Sequence, residues 1–295
     1  MVYLSVKNIS KSYNDLMVLH NASLEIKGGV SLLMGRNGSG KSTLLSIIQG
    51  INKPNSGEVK IDGFSPSREP KKALRRICFL PEKPVIFGSH VVREFIRWHC
   101  DITDSSYGDT IEILGYFDML NTLDTNFRNL SMGERQLVIL SCVLSRDSQL
   151  YILDEPNANV DSRGRMLIAQ IISRINKKNG AGFLITSHII DTLVQVTDRI
   201  FLLKNGNIAQ QFDFLDLVSQ EKSIETTNII YSLKPEKLLH ELLSMGMRAY
   251  SNGNAIFTQE EIRSIYNKID REYTNQIIEI KKVPNVLLEE TIDTE

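Results

Sequence analysis

The sequence predicts an α/β fold organised around a parallel sheet, followed by a smaller α+β unit at its C-terminal end. Three observations carry that reading. Short β-rich runs alternate with helical patterns from residue 1 to about 212. A glycine-rich loop at 35–43 joins an apolar run to a helical one, and a polar stretch at 219–227 separates this part from a tail with its own element order.

Strands are expected at 2–6, 22–26, 30–34, 58–61, 77–80, 150–153, 182–186 and 199–203. The first, second and fourth alternate apolar with polar residues, which suits a partly solvated antiparallel sheet. The others are apolar nearly throughout, as parallel strands buried on both faces should be. Asn205-Gly206-Asn207 is a tight turn leading into a hairpin strand at 208–212. From about 84 to 145 the pattern is helical, with Val91, Val92, Phe95, Ile96 and Trp98 suggesting one apolar face of an inserted helical subdomain. The tail reads strand 229–233, helix 235–244, strands 247–250 and 255–258 around Asn252-Gly253, helix 259–269, strand 276–280. That split β-α-β order predicts a small ferredoxin-like appendage. Residues 1–218 and 228–295 are the expected domains.

The loop at 35–43 reads Gly-Arg-Asn-Gly-Ser-Gly-Lys-Ser-Thr, a complete G-x-x-x-x-G-K-S phosphate-binding pattern. Its glycines let successive backbone N–H groups turn inward around an anion, and the following helix adds partial positive charge. Gly35, Asn37, Gly38, Ser39, Gly40, Lys41, Ser42 and Thr43 are therefore candidate nucleotide contacts. Lys41 supplies a point charge for β- and γ-phosphates, and Ser42 a hydroxyl oxygen for Mg²⁺. Downstream, Leu150-Tyr151-Ile152-Leu153-Asp154-Glu155 is an apolar strand ending in two carboxylates. Beside a phosphate loop, Asp154 is placed to face Mg²⁺ and Glu155 to orient the attacking water. Leu130-Ser131-Met132-Gly133-Glu134 precedes a helix at 137–144, which is either an anion-binding helix start or a simple serine cap.

Taken in order, these motifs resemble the ATP-binding cassette (ABC) family of transporter ATPases, whose signature lies between phosphate loop and acidic strand. The resemblance covers most of the first 212 residues and implies ATP and Mg²⁺ as cofactors. It implies that Tyr13, in Lys11-Ser12-Tyr13-Asn14, stacks on adenine, although a tyrosine near a strand also suits core or hairpin packing. It further implies that Asp161 joins two subunits and that His188 contacts the γ-phosphate. Ser131 and Gly133 of one cassette would cover the ATP held by Lys41, Ser42, Asp154, Glu155 and His188 of another. The chain departs from the family pattern at Glu82, where glutamine is usual and where an oxygen ligand to the metal could persist. It departs again at Met132, Glu134 and Leu137.

With 34 basic and 35 acidic residues there is no overall field favouring nucleic acid, and a mean hydropathy of -0.13 fits a globular chain. No apolar run reaches the ~20 residues that span a bilayer. The start reads as a strand rather than a secretion signal, so cytoplasmic residence is expected, with the chain held at the membrane by a separately encoded polytopic permease. Cys78, Cys100 and Cys142 show no paired metal-ligand spacing and read as reduced, buried thiols. The expected function is the ATP-hydrolysing subunit of an exporter, paired with a second cassette. Tail residues 283–291 and Glu82 resemble the bacterial multidrug, antibiotic or peptide export branch, and Phe87, Val91 and Trp98 are candidate permease contacts. The alternative is a soluble regulatory or translation-associated cassette, which the single cassette and balanced charge disfavour.

Overall fold

Two sheets build the first part of the molecule, and their different burial explains their different sequences. In the computed structural model, described over residues 3–84, 90–188, 192–213, 226–252, 255–260, 264–265, 269, 273 and 277–284, β1 (Leu4–Tyr13), β2 (Leu16–Ile26) and β4 (Ser56–Ile61) form an antiparallel sheet in the order β2-β1-β4. Val59 and Ile61 are buried while Glu58 and Lys60 face water, the alternation of a sheet wetted on one side. β1 and β2 are longer than the alternation suggests. Register shifts interrupt the β1–β2 ladder beyond Val6, and Asn8 and Asn21 both take left-handed φ near +50°. Each irregularity resets which side chains point inward, so the two-residue period breaks while the pairing continues.

The second sheet has the order β5 (Ile77–Leu80), β6 (Leu150–Asp154), β7 (Gly182–Ser187), β3 (Val30–Met34), β8 (Arg199–Lys204), β9 (Asn207–Asp213). All neighbours are parallel except the β8–β9 hairpin, whose turn residues Asn205 and Gly206 both have positive φ. Side chains divide by parity. Leu33, Ile152, Leu184 and Phe201 pack with α1 (Lys41–Ile48) and the antiparallel sheet, whereas Leu32, Tyr151, Phe183 and Ile200 pack with α5 (Met132–Leu144) and α6 (Ser162–Asn179). Both faces being covered is why these strands are uniformly apolar. The 18-residue α6 lies outside the elements expected from the sequence; Asp161 caps its start and Gly180, at φ 66°, its end.

Helices α3 (Val92–Thr103) and α4 (Tyr107–Tyr116) precede α5 in the inserted segment, with α2 (Pro70–Leu74) before β5. Val92, Ile96 and Cys100 recur every fourth residue and are buried. Trp98 is not on that face. Two residues past Ile96 it is turned about 200° around the helix, and it is 60% exposed. Phe87 lies outside the described residues.

In the tail, β10 (Thr226–Ser232), β11 (Ala249–Asn252), β12 (Ala255–Thr258) and β13 (Ile277–Pro284) make an antiparallel sheet in the order β11-β12-β10-β13, with α7 (Pro235–Ser244) between β10 and β11 in the chain. This is the split β-α-β strand order. The expected linker stretch ends inside β10, at Thr226 and Thr227; residues 214–225, most of the expected second helix and everything after 284 lie outside the described residues. Ile230 and Ile256 pack with Leu238 and Leu242 of α7. Their strand neighbours Ile229, Tyr231, Ala255 and Phe257 point the other way and join the core cluster shared with α5 and α6. The tail is thus docked through one sheet face. Phe257, 3% exposed and stacked on Tyr250, is central to it. Phe257→Ala is expected to cost about 3–5 kcal/mol in urea unfolding. An unchanged main transition would show the tail and cassette to be energetically separate.

Candidate active site

Parallel strands end on one sheet edge, and the register brings four sequence motifs together there. Leu80 pairs with Leu153, Asp154 with Thr186 and Met34 with Ser187. The residues that follow these strand ends therefore meet: Glu82 after β5, Glu155 after β6, His188 after β7 and the glycine loop after β3. They line one cleft of about 320 Å³ with Arg36, Asn37, Gly38, Gly40, Lys41, Ser42 and Thr43. Val18 and Ala158 complete it.

The loop is shaped by close backbone approach. A side chain at Gly35 would place Cβ 2.4 Å from the Leu203 carbonyl oxygen and 2.6 Å from Ser39 Oγ. Gly40, at φ 107°, caps α1 against Leu19. Gly35 and Ser39 consequently form the back of the loop, not the cleft wall. Lys41, only 8% exposed, donates from Nζ to the carbonyl oxygens of Gly35 (2.5 Å) and Arg36 (3.3 Å). Burial lowers its pKa, and Glu155, Asp154 and Glu82 oppose that shift.

Thr186 organises the acids. Its hydroxyl donates to Asp154 Oδ1 at 2.5 Å and accepts the Glu155 N–H at 3.0 Å. Glu155 adopts φ 48°, a left-handed conformation that costs a non-glycine residue about 1–3 kcal/mol and gathers at functional sites. The strand ends there, and the carboxylate turns back to meet His188 Nδ1 at 3.0 Å. Burial raises the carboxyl pKa of both acids; Thr186 opposes the rise at Asp154 and His188 opposes it at Glu155. A carboxyl with a raised pKa is ionised over a smaller part of the acid range. If Glu155 must be ionised to accept a proton, the acid limb of turnover lies above its ordinary value of 4.5. His188→Ala removes an interaction favouring the ionised form, so that limb should move to higher pH. A limb that stayed in place or moved down would exclude this coupling.

The oxygen donor set suits a hard cation. The Ser42 hydroxyl and the Asp154 and Glu82 carboxylates line the same cleft beside the phosphate loop, so these residues fit Mg²⁺.

Ser131, Gly133, Asp161 and Tyr13 are not among the residues lining this cleft. Ser131 caps α5 in a reciprocal box with Glu134: the Ser131 N–H donates to Glu134 Oε2 (2.8 Å) and the Glu134 N–H to Ser131 Oγ (3.2 Å). Glu134, a departure from the family pattern, is thereby explained locally. A Cβ on Gly133 would sit 2.4 Å from the Asn159 carbonyl oxygen, so the signature packs directly against the chain leading to Asp161. Asp161 accepts from the Gly164 N–H at 2.7 Å. Thr186, Val18, Arg36 and Ala158 are the site residues that sequence reasoning did not single out. Thr186 alone left a signal, as a polar residue closing an apolar strand.

A glycine loop, a buried lysine and a strand-end acid pair on the edge of a parallel sheet define a P-loop nucleoside triphosphatase. Residues 19–158 match the family described as ABC transporter. The chain is 29% identical over 254 residues to the ABC-type transporter ATP-binding protein EcsA of Bacillus subtilis, covering 82% of this chain and 100% of that protein. It is also 29% identical over 204 residues to the zinc import ATP-binding protein ZnuC of Rickettsia conorii, covering 68% and 82% respectively. The solved ATP-binding subunit of an ABC transporter superposes with a TM-score of 0.67 at 26% identity, covering 74% of this chain and 92% of that one. The chain thus carries an ABC transporter family domain over residues 19–158, the ATP-binding, ATP-hydrolysing unit of that family.

Proposed function

We propose that this subunit works as half of a head-to-tail pair, closing on ATP and reopening after hydrolysis to drive a separately encoded polytopic permease. One observation carries the reading. Lys41, Asp154, Glu155 and His188 converge on a single cleft, while Ser131 and Gly133 of the same chain lie outside it. A second cassette, identical or a sister subunit, supplies the missing wall. Within each site, Lys41 neutralises the β- and γ-phosphates, the loop amides orient them, and Tyr13 stacks on adenine. Glu155, held by His188, takes a proton from the attacking water. Ser42, Asp154 and Glu82 would hold Mg²⁺, which would supply charge neutralisation at the phosphates. Asp161 lies where the two subunits meet.

Among the described residues no helix is long and apolar enough to cross a membrane. In this reading transport runs through another chain, with the ATPase on the cytoplasmic face. The tail from residue 228 serves as an accessory unit. We assign the direction as export, on Glu82 and the tail; similarity to ZnuC favours import as the second reading. Co-expression with a polytopic membrane protein encoded beside this chain, followed by ATP-driven flux into inverted vesicles, tests both. Accumulation inside such vesicles is export. Failure of the subunit to co-purify with any membrane protein from detergent extracts would favour the soluble regulatory alternative.

A further inference from the structure

Tyr13 stands at the end of β1, immediately before the turn at Asn14, whose φ is 51°. A half-exposed ring at a strand end does not define one orientation, yet a stacking platform has to. The structure holds it from two sides. Asn52 Nδ2 donates to the Tyr13 hydroxyl at 3.2 Å and to Ser46 Oγ at 2.9 Å. Ser46 Oγ in turn donates to the carbonyl oxygen of Thr43 at 2.8 Å, and Thr43 is part of the cleft wall. The Asn52 backbone N–H is also tied to the Ser46 carbonyl, at 3.2 Å. On one ring face Lys11 Nζ stands 5.1 Å from the centroid, anchored to the Lys53 carbonyl oxygen at 2.7 Å.

We propose that Asn52 is a positioning residue for nucleotide binding, which fastens Tyr13 to the phosphate-loop helix so that one rigid body sets both the base and the triphosphate ends of the site. This rests on the reading of Tyr13 as the adenine platform. Lys11 occupies one ring face and leaves the opposite face for the purine. The chain Thr43, Ser46, Asn52, Tyr13 fixes the ring relative to the loop that holds the phosphates. Asn52 touches no nucleotide in this scheme.

The test compares ATP with inorganic tripolyphosphate, which has no base, by competition against a fluorescent nucleotide on the full chain. Asn52→Ala and Tyr13→Phe each break the same hydrogen bond and should each weaken ATP about threefold to tenfold. Tripolyphosphate affinity should not change in either variant, and in Asn52→Ala kcat at saturating ATP should not change. In a Tyr13→Ala background, Asn52→Ala should add nothing further. Equal loss of ATP and tripolyphosphate would make Asn52 a support of the phosphate helix and overturn the proposal. So would unchanged ATP affinity in Asn52→Ala and Tyr13→Phe while Tyr13→Ala weakens it, a result that leaves the adenine platform standing. If Tyr13→Ala also leaves ATP affinity unchanged, the platform reading fails and the proposal fails with it.

Discussion

Glu155→Gln is expected to abolish turnover while leaving ATP bound. The amide is nearly isosteric and keeps an oxygen toward His188, so the cleft should hold its shape around the 3.0 Å contact. What it loses is the capacity to take a proton from water, an effect worth about 10²–10⁴-fold in rate. Removing one negative charge from a cleft shared with Glu82 and Asp154 also relieves repulsion of the triphosphate. Bound ATP should therefore accumulate in a closed pair, seen as an ATP-dependent shift to dimer on gel filtration. Near-normal steady-state ATPase activity would remove Glu155 from the catalytic role.

Lys41→Ala acts on the other side of the same balance. The Nζ cation is buried and tied to the Gly35 and Arg36 carbonyl oxygens, so it is already directed to the loop interior before any nucleotide arrives. Without it, three carboxylates face the phosphates with one fewer counter-charge. The loss of charge-assisted hydrogen bonds should weaken ATP binding about tenfold to a hundredfold. Calorimetry on the purified chain would measure it directly, and undiminished affinity would contradict the assignment of the loop. The two variants thus separate binding from chemistry: one should hold ATP without cleaving it, the other should fail to hold it.

The legible parts of this site are those encoded within a few residues of one another. The glycine loop can be read because backbone cradling needs glycine and a helix start in fixed order. Asp154 and Glu155 can be read because two acids close an apolar strand, and the central strands because burial on both faces demands uninterrupted apolar residues. β1 and β2 were legible only up to their irregularities, where a left-handed Asn8 or Asn21 resets the alternation without ending the strand. Trp98 shows the opposite failure. It looks like a member of the apolar stripe in α3, but the helical turn places it outside, away from Val92, Ile96 and Cys100.

By itself the sequence determined the nucleotide chemistry: a phosphate loop, a strand-end acid pair, a capped signature helix and a histidine after a buried strand. Each is a local pattern whose physics needs only its neighbours in the chain. Only the tertiary structure decided that the loop, the acid pair and the histidine share one cleft while the signature helix start lies outside its lining, because that depends on β5, β6, β7 and β3 lying parallel with their ends in register. It also decided that Thr186 bridges Asp154 and the Glu155 backbone, that Asn52 reaches Tyr13, and that the tail docks through Phe257. These contacts join residues tens to hundreds of positions apart, and hydrogen-bond reach of about 3 Å is set by packing rather than by spacing along the chain.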